Sequence, residues 1–210
     1  MDPAAAPDFP AITALLLAGG RGARMSGADK GLQRFNGTPL AQHALRRLAQ
    51  QTWPPAEIFI SANRHLADYR AFGVPVLPDS VPDFAGPLAG FLAGLAQCRT
   101  PLLLTLPCDA PWFPLSLCER MAQSLHAAKA DLAVAAGPDG DGRLRAQPVF
   151  CLLRAGLQDD LTAFLAEGGR KVGAWTARHR RVTVAFDEPG DDPRAFANAN
   201  TLDDLRTLEL

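Results

Sequence analysis

Leu15-Leu-Leu-Ala-Gly-Gly-Arg-Gly-Ala-Arg-Met-Ser-Gly-Ala-Asp-Lys-Gly-Leu32 decides the fold. An apolar run that starts at Ile12 breaks into glycines at 19, 20, 22 and 27 and is followed by the cations Arg24 and Lys30. This reads as a buried strand feeding a tight turn. Glycines let the backbone approach a ligand closely, and N–H groups in such a turn can point at phosphate oxygens. Arg24 and Lys30 then supply the countercharge. A plain strand-to-helix connection satisfies the same glycines, and the two cations tip the reading toward phosphate. The pattern is not a P-loop, which needs Gly-Lys followed by Ser or Thr. Nor is it the dinucleotide fingerprint, because Met25 stands where the third glycine belongs.

Outward from this loop, apolar runs alternate with amphipathic stretches, as in βαβ units whose mostly parallel sheet is covered on both faces. Strands are expected at 12–17, 57–62, 74–77, 101–106, 132–136, 147–153 and 182–186. Helices are expected at 39–51, 88–98, from beyond Pro114 to about Ala128, and at 157–166, 171–177 and 202–208. The turn-rich stretch from Gly137 to Gly142 predicts an antiparallel connection. The fold class that follows is α/β, a Rossmann-like three-layer sandwich with a mostly parallel sheet and a mixed antiparallel edge. Residues 1–10, rich in Pro and Ala, read as a disordered lead-in, and 11–210 as one domain.

The composition narrows the function classes. With 21 Lys+Arg against 22 Asp+Glu the net charge is −1, which argues against broad electrostatic binding of nucleic acid. Phosphate recognition should therefore rest on a few placed cations. The four cysteines, Cys98, Cys108, Cys118 and Cys151, form no C-x-x-C, and the histidines are scattered, so reduced thiols in a cytoplasmic protein are the expected state. No apolar run reaches membrane-spanning length, and the N-terminus lacks a basic region, so neither a membrane nor a secretory role is expected. There is no G-x-S-x-G elbow either.

In an open parallel sheet, ligands bind beyond the carboxyl ends of the strands where strand order reverses. The ends to inspect are Ala18-Gly19-Gly20, Ser61-Ala62-Asn63, Pro78-Asp79 and Pro107-Cys108-Asp109. Asp109 follows an apolar strand and stands where a carboxylate could anchor Mg²⁺, an ion that needs only one or two carboxylates when phosphates and waters complete its shell. It lies too far upstream to cap the helix after Pro114. Asp79 reads equally as a ribose ligand or a turn cap. Gly86-Pro-Leu-Ala-Gly90 reads either as a surface for a flat base or as a helix start with Gly90 packed on the sheet. Asn198 and Asn200 share a side if extended, and Thr201 reads as a helix cap.

Together, Leu17-Ala-Gly-Gly20, Arg24-Met25, Asp29-Lys-Gly-Leu32, Asn36-Gly37 with Pro39-Leu40, Ala62-Asn-Arg-His65, Asp79, Gly86-Pro-Leu-Ala-Gly90, Pro107-Cys-Asp109 and Asn198-x-Asn200 resemble the bacterial molybdenum cofactor guanylyltransferases. The resemblance runs from about Ile12 onward. It implies transfer of GMP from GTP to the phosphate of molybdopterin, with or without molybdenum, and release of pyrophosphate. It further implies a GTP-binding N-terminal half and a pterin-binding C-terminal half, with proteins that donate and accept the cofactor as partners. Carried onto this chain, Leu17, Ala18, Gly19 and Gly20 would contact the nucleotide, Lys30 and Arg24 its phosphates, and Asp79 the guanosine. Asp109 would hold Mg²⁺, and Asn198 and Asn200 would stand toward the pterin. Arg170 and Lys171 read either as molybdopterin phosphate ligands or as a solvated helix start.

Two residues depart from the family pattern: Ser26, where glycine is usual, and Ser61, where asparagine often contacts the nucleotide. Serine has the shorter reach and fewer donors, so Asn63 is the nearby residue that can take over a contact asparagine would make from position 61. The rivals are a transferase using CTP on the same pterin, one charging a sugar phosphate, and a non-catalytic nucleotide or cofactor carrier. Gly19-Gly20 and Gly86–Gly90 favour guanine, while Lys30 with Asp109 favours catalysis.

Overall fold

The computed structural model of the chain describes residues 9–18, 29–79, 86–139 and 141–209. Strand β1 (Ile12–Leu17) is followed by a two-residue hairpin arm, β2 (Arg34–Phe35) and β3 (Thr38–Pro39), then helix α1 (Leu40–Ala49) and β4 (Glu57–Ser61). A short α2 (Leu66–Arg70) leads to β5 (Val76–Leu77), α3 (Pro87–Gln97) and β6 (Leu102–Pro107). Beyond come α4 (Leu117–Ala127), β7 (Leu132–Pro138), β8 (Leu144–Arg154), α5 (Gln158–Ala166), α6 (Val172–Thr176), β9 (Arg181–Ala185) and α7 (Leu202–Leu208).

Seven of these strands form one sheet in the order β5-β4-β1-β6-β8-β7-β9. All run parallel except β8, which pairs antiparallel with both β6 and β7. The mixed region is thus present as expected, and its antiparallel member lies inside the sheet, with the β7–β9 parallel pair on the rim. β1 sits between two neighbours and shows no exposed surface from Ile12 to Leu16. A strand buried on both faces has no polar side to present, which is why its sequence is a continuous apolar run. Each such leucine or isoleucine contributes roughly 1.5–3 kcal/mol of burial.

Side-chain alternation divides the core. Ile12, Ala14 and Leu16 pack with α1 and α4 through Ala44, Leu48, Leu117 and Met121. Leu15 faces the other way, toward Phe91 and Leu95 of α3, Leu161 of α5 and Trp175 of α6. Helices therefore cover both faces of the sheet in three layers. In α3 the approach is close: a Cβ on Gly90 would lie 2.5 Å from Leu17 Cδ2 and 2.9 Å from Ser61 Oγ. Pro87 opens this helix. The packing reading of the Gly86–Gly90 segment is therefore realised at Gly90.

Two elements lie outside the expected list. The hairpin turns through Asn36 and Gly37, both in the left-handed region (φ 47° and 74°), the geometry that Asn-Gly favours in two-residue hairpin loops. It rests on α7 in a small separate core of Phe35, Leu40, Leu205 and Leu208. Helix α2 is little more than one turn and carries no apolar period to announce it. The expected strand at 74–77 pairs only over Val76–Leu77, since Pro75 lacks an N–H and sits at a sheet edge.

His43 of α1 sits beside Phe35 and Trp112, and its Nδ1 is buried without a hydrogen-bond partner among the described residues. Burial, then the charges of Arg47 and Arg46, lower its pKa below the usual histidine value. The unfolded chain thus takes up a proton at higher pH than the folded one. The His43 contribution to stability is complete above about pH 6.5 and is lost as pH falls through the unfolded value toward the lower folded one. Thermal unfolding at pH 7.5 and 5.5 should show a drop in Tm that shrinks in His43→Gln. An equal drop in both proteins would remove His43 as the cause.

Candidate active site

Strand order reverses between β1 and β6: the chain runs from β1 to β4 and β5 on one side, then returns to β6 on the other flank of β1. Leu17 is level with both Ser61 and Pro107, so three strands end together. Backbone bonds continue the sheet past these ends, from Ala18 N–H to Ser61 O (2.9 Å) and from Cys108 N–H to Leu17 O (3.1 Å). Asp109 follows directly. The expected loop ligands Gly19, Gly20 and Arg24, together with Ser26, lie outside the described residues.

Lys30 reaches the tip of β6. Its Nζ donates to Asp109 Oδ2 at 2.9 Å and to Asn200 Oδ1 at 2.8 Å, joining three residues that sequence placed far apart. The lysine is held by the short 3₁₀ turn Lys30–Leu32. Asp29 Oδ1 accepts from the Gly31 N–H (3.1 Å) and from the hydroxyl of Tyr69, while Gln33 Nε2 donates to Asp29 O at 3.1 Å. Tyr69 has no exposed surface. Its pKa is raised, first by burial, then by the neighbouring Cys108 and by Asp29, so it remains a proton donor. Burial likewise raises Cys108, which stays a thiol beside the site and acts as packing.

A second group gathers at the ends of β4 and β5. Asp79 accepts from Asn63 Nδ2 at 2.6 Å and from Ser61 Oγ at 3.4 Å, and its own N–H donates to Asn63 Oδ1 at 2.8 Å. Ser61 is buried and lies against Gly90, where a Cβ on the glycine would meet its hydroxyl. Asn63 is the exposed partner of the pair. Gly86 stands before α3 with φ 154°, a conformation glycine tolerates.

The chain segment after β9 returns over the site. Ala199 N–H donates to Asp109 O at 2.7 Å, and Thr201 caps α7 reciprocally with Asp204. Asn200 serves the lysine while its neighbour serves the helix, so the two readings of this segment coexist. Asn198 and Asn200 line a cavity of about 220 Å³ together with Asp109 and Gln147. Arg170 instead donates to the carbonyls of Leu165 and Gly169. Tyr69 and Gln147 were not anticipated, and no local pattern marks them; Asp29 entered only within the Asp29–Leu32 fragment, without its role in holding the turn. The Asn36-Gly37 signal could have revealed the hairpin.

The donor set bears on a metal. Among the described residues no three His, Cys, Asp or Glu side chains cluster as a metal cage. Asp109 is a single carboxylate at the rim of a cavity, with its side chain 15% exposed. That arrangement fits an ion completed by substrate phosphates and water, as Mg²⁺ sites commonly are.

Residues 14–182 match the MobA-like NTP transferase domain. Molybdenum cofactor guanylyltransferases from Acidovorax ebreus and Ralstonia nicotianae are 57% and 58% identical to the chain, in each case over 94% of it and 95% of the relative. Among solved structures, molybdopterin-guanine dinucleotide biosynthesis protein A from Archaeoglobus fulgidus superposes with a TM-score of 0.73, at 19% identity over 94% of this chain and 96% of that one. The 4-diphosphocytidyl-2C-methyl-D-erythritol synthase of Anaerococcus prevotii gives a TM-score of 0.72 at 13% identity over 95% and 96%. These two structures establish the shared fold and leave the base undecided, since the second is named for a cytidyl product. Sequence identity above one half along nearly the whole chain does decide the lineage: it belongs to the molybdenum cofactor guanylyltransferase family of MobA-like NTP transferases.

Proposed function

We propose that this chain transfers GMP from GTP to the terminal phosphate of molybdopterin, in the cytoplasm. A phosphate oxygen of molybdopterin attacks the α-phosphorus of GTP. The new P–O bond forms as the bond to the β-phosphate oxygen breaks, and pyrophosphate leaves with its electron pair. The observation that carries this reading is the convergence of Lys30, Asp109 and Asn200 at the sheet's switch point.

Such transfers need little covalent chemistry from the protein; they need positioning and countercharge where negative charge builds. Lys30 has three N–H donors and spends two on Asp109 and Asn200, so the third is available to a phosphate oxygen. Asp109 would hold Mg²⁺, which supplies Lewis-acid neutralisation of the phosphates when bound. Asp79, braced by Asn63, is assigned to the guanosine, with Leu17 and Ala18 beneath it at the end of β1. Gly19, Gly20 and Arg24 are assigned to the triphosphate on sequence grounds. Asn198 faces the acceptor, and proteins that deliver or receive the cofactor complete the partner set.

The test is a pyrophosphate-release assay with GTP, Mg²⁺ and molybdopterin. Release should require all three components and be lost when CTP replaces GTP. Release with CTP alone would reassign the base, and tight GTP binding without release would favour a carrier.

A further inference from the structure

The cavity beside Asp109 owes its existence to an irregularity in β8. Opposite Val134 of β7 stands Cys151, yet opposite the next residue, Ala135, stands Gln147. Pro148, Val149 and Phe150 are thus extra residues with no counterparts on β7. The β6–β8 ladder ends at the pairing of Thr105 with Cys151, so on that side β6 runs on to Pro107 unpaired, while its other edge stays paired with β1. Thr105 Oγ1 fastens the bulge by donating to Val149 O at 2.8 Å. Bulges of this kind bend a strand and re-aim its side chains, and they concentrate beside functional sites. Here the bend opens the space lined by Asp109, Gln147, Val149, Phe150, Asn198 and Asn200.

Two features point to a ligand. First, Gln147 is half-buried in the wall, and among the described residues its amide has no hydrogen-bond partner. The amide is reached from the cavity rather than sealed in, so its donors and acceptor are open to a molecule that enters there. Second, at about 220 Å³ the cavity falls short of the roughly 300–1,000 Å³ of sites that enclose a whole drug-sized ligand. It suits one flat ring system, with apolar Val149 and Phe150 to meet its face and amides to meet its edge.

We infer that Gln147, presented by the β8 bulge, is a specificity residue that reads the hydrogen-bonding edge of the acceptor's pterin ring. A carboxamide offers an acceptor oxygen and two donors, which complements the adjoining donors and acceptors of a pterin's pyrimidinone edge. The inference rests on the guanylyl-transfer reading and extends it to the acceptor.

Gln147→Leu separates the two substrates. Its KM for molybdopterin should rise about tenfold, the order expected for one lost hydrogen bond, while the KM for GTP stays within about twofold. Gln147→Asn, which keeps the amide, should recover part of the loss. Fluorescence titration with pterin-6-carboxylate, without nucleotide, should show a matching weakening in the Leu variant. An unchanged acceptor KM, or equal increases for both substrates, overturns the assignment. Should the wild-type protein release no pyrophosphate, transfer itself has failed, and the titration still decides: equal pterin binding by the wild-type and Leu proteins refutes the role of Gln147.

Discussion

Asp109→Asn is expected to leave a folded protein whose pyrophosphate release has fallen by about 10³-fold, the upper end of what one electrostatic contact to a transition state supplies. Asparagine preserves size, and its amide oxygen can still accept from Lys30, so the fold should lose no more than about 1 kcal/mol. What is lost is the formal negative charge at the end of β6. Urea unfolding and the turnover assay together make the test: normal turnover with an intact fold would strip Asp109 of its metal role. Adding Mn²⁺ or more Mg²⁺ should restore a fraction of the rate in the variant and little in the wild type. The backbone of Asp109 is tied down independently through Ala199, so the substitution does not release the returning segment.

Lys30→Met is expected to lower kcat/KM for GTP by about 10²-fold or more, because it removes the cation proposed to neutralise the departing pyrophosphate. Methionine keeps the length of the stem and its packing. The turn that carries it should persist, since Asp29 and Tyr69 hold that turn through Gly31 rather than through the lysine. The two substitutions should also not add: Lys30 and Asp109 share a contact of 2.9 Å, and residues acting as a unit give double variants scarcely worse than the weaker single one. Fully multiplicative losses would mean that they serve separate steps.

The strands that build the switch point were legible for a physical reason. β1 and β6 are buried on both faces, which forces continuous apolar runs, and the glycines and the aspartate beyond them announce where those runs stop. Lys30, Asp79 and Asp109 could therefore be nominated from position alone. The rest depends on contacts that leave no local trace. Asn200 meets Lys30 across 170 positions, and nothing near either residue encodes the partner. The β8 bulge is equally silent, because the stretch from Gln147 to Leu153 reads as an ordinary strand until the register of its neighbours is known. Tyr69 reaches Asp29 from a helix too short to show a period. Asn36-Gly37 differs from these: its turn chemistry was explicit, and the hairpin it makes was readable.

The contact between Asn200 and Lys30 also orders events during synthesis. Strands β1 and β6 can pair once about half of the chain has left the ribosome, bringing Asp109 near Lys30. The amide that completes the trio, and the Ala199 N–H that pins Asp109, emerge only some ninety residues later. Closing so long a loop is among the slower steps available to a folding chain. A nascent protein thus passes through a long interval in which Lys30 and Asp109 can already meet while the third member of their trio has yet to join them.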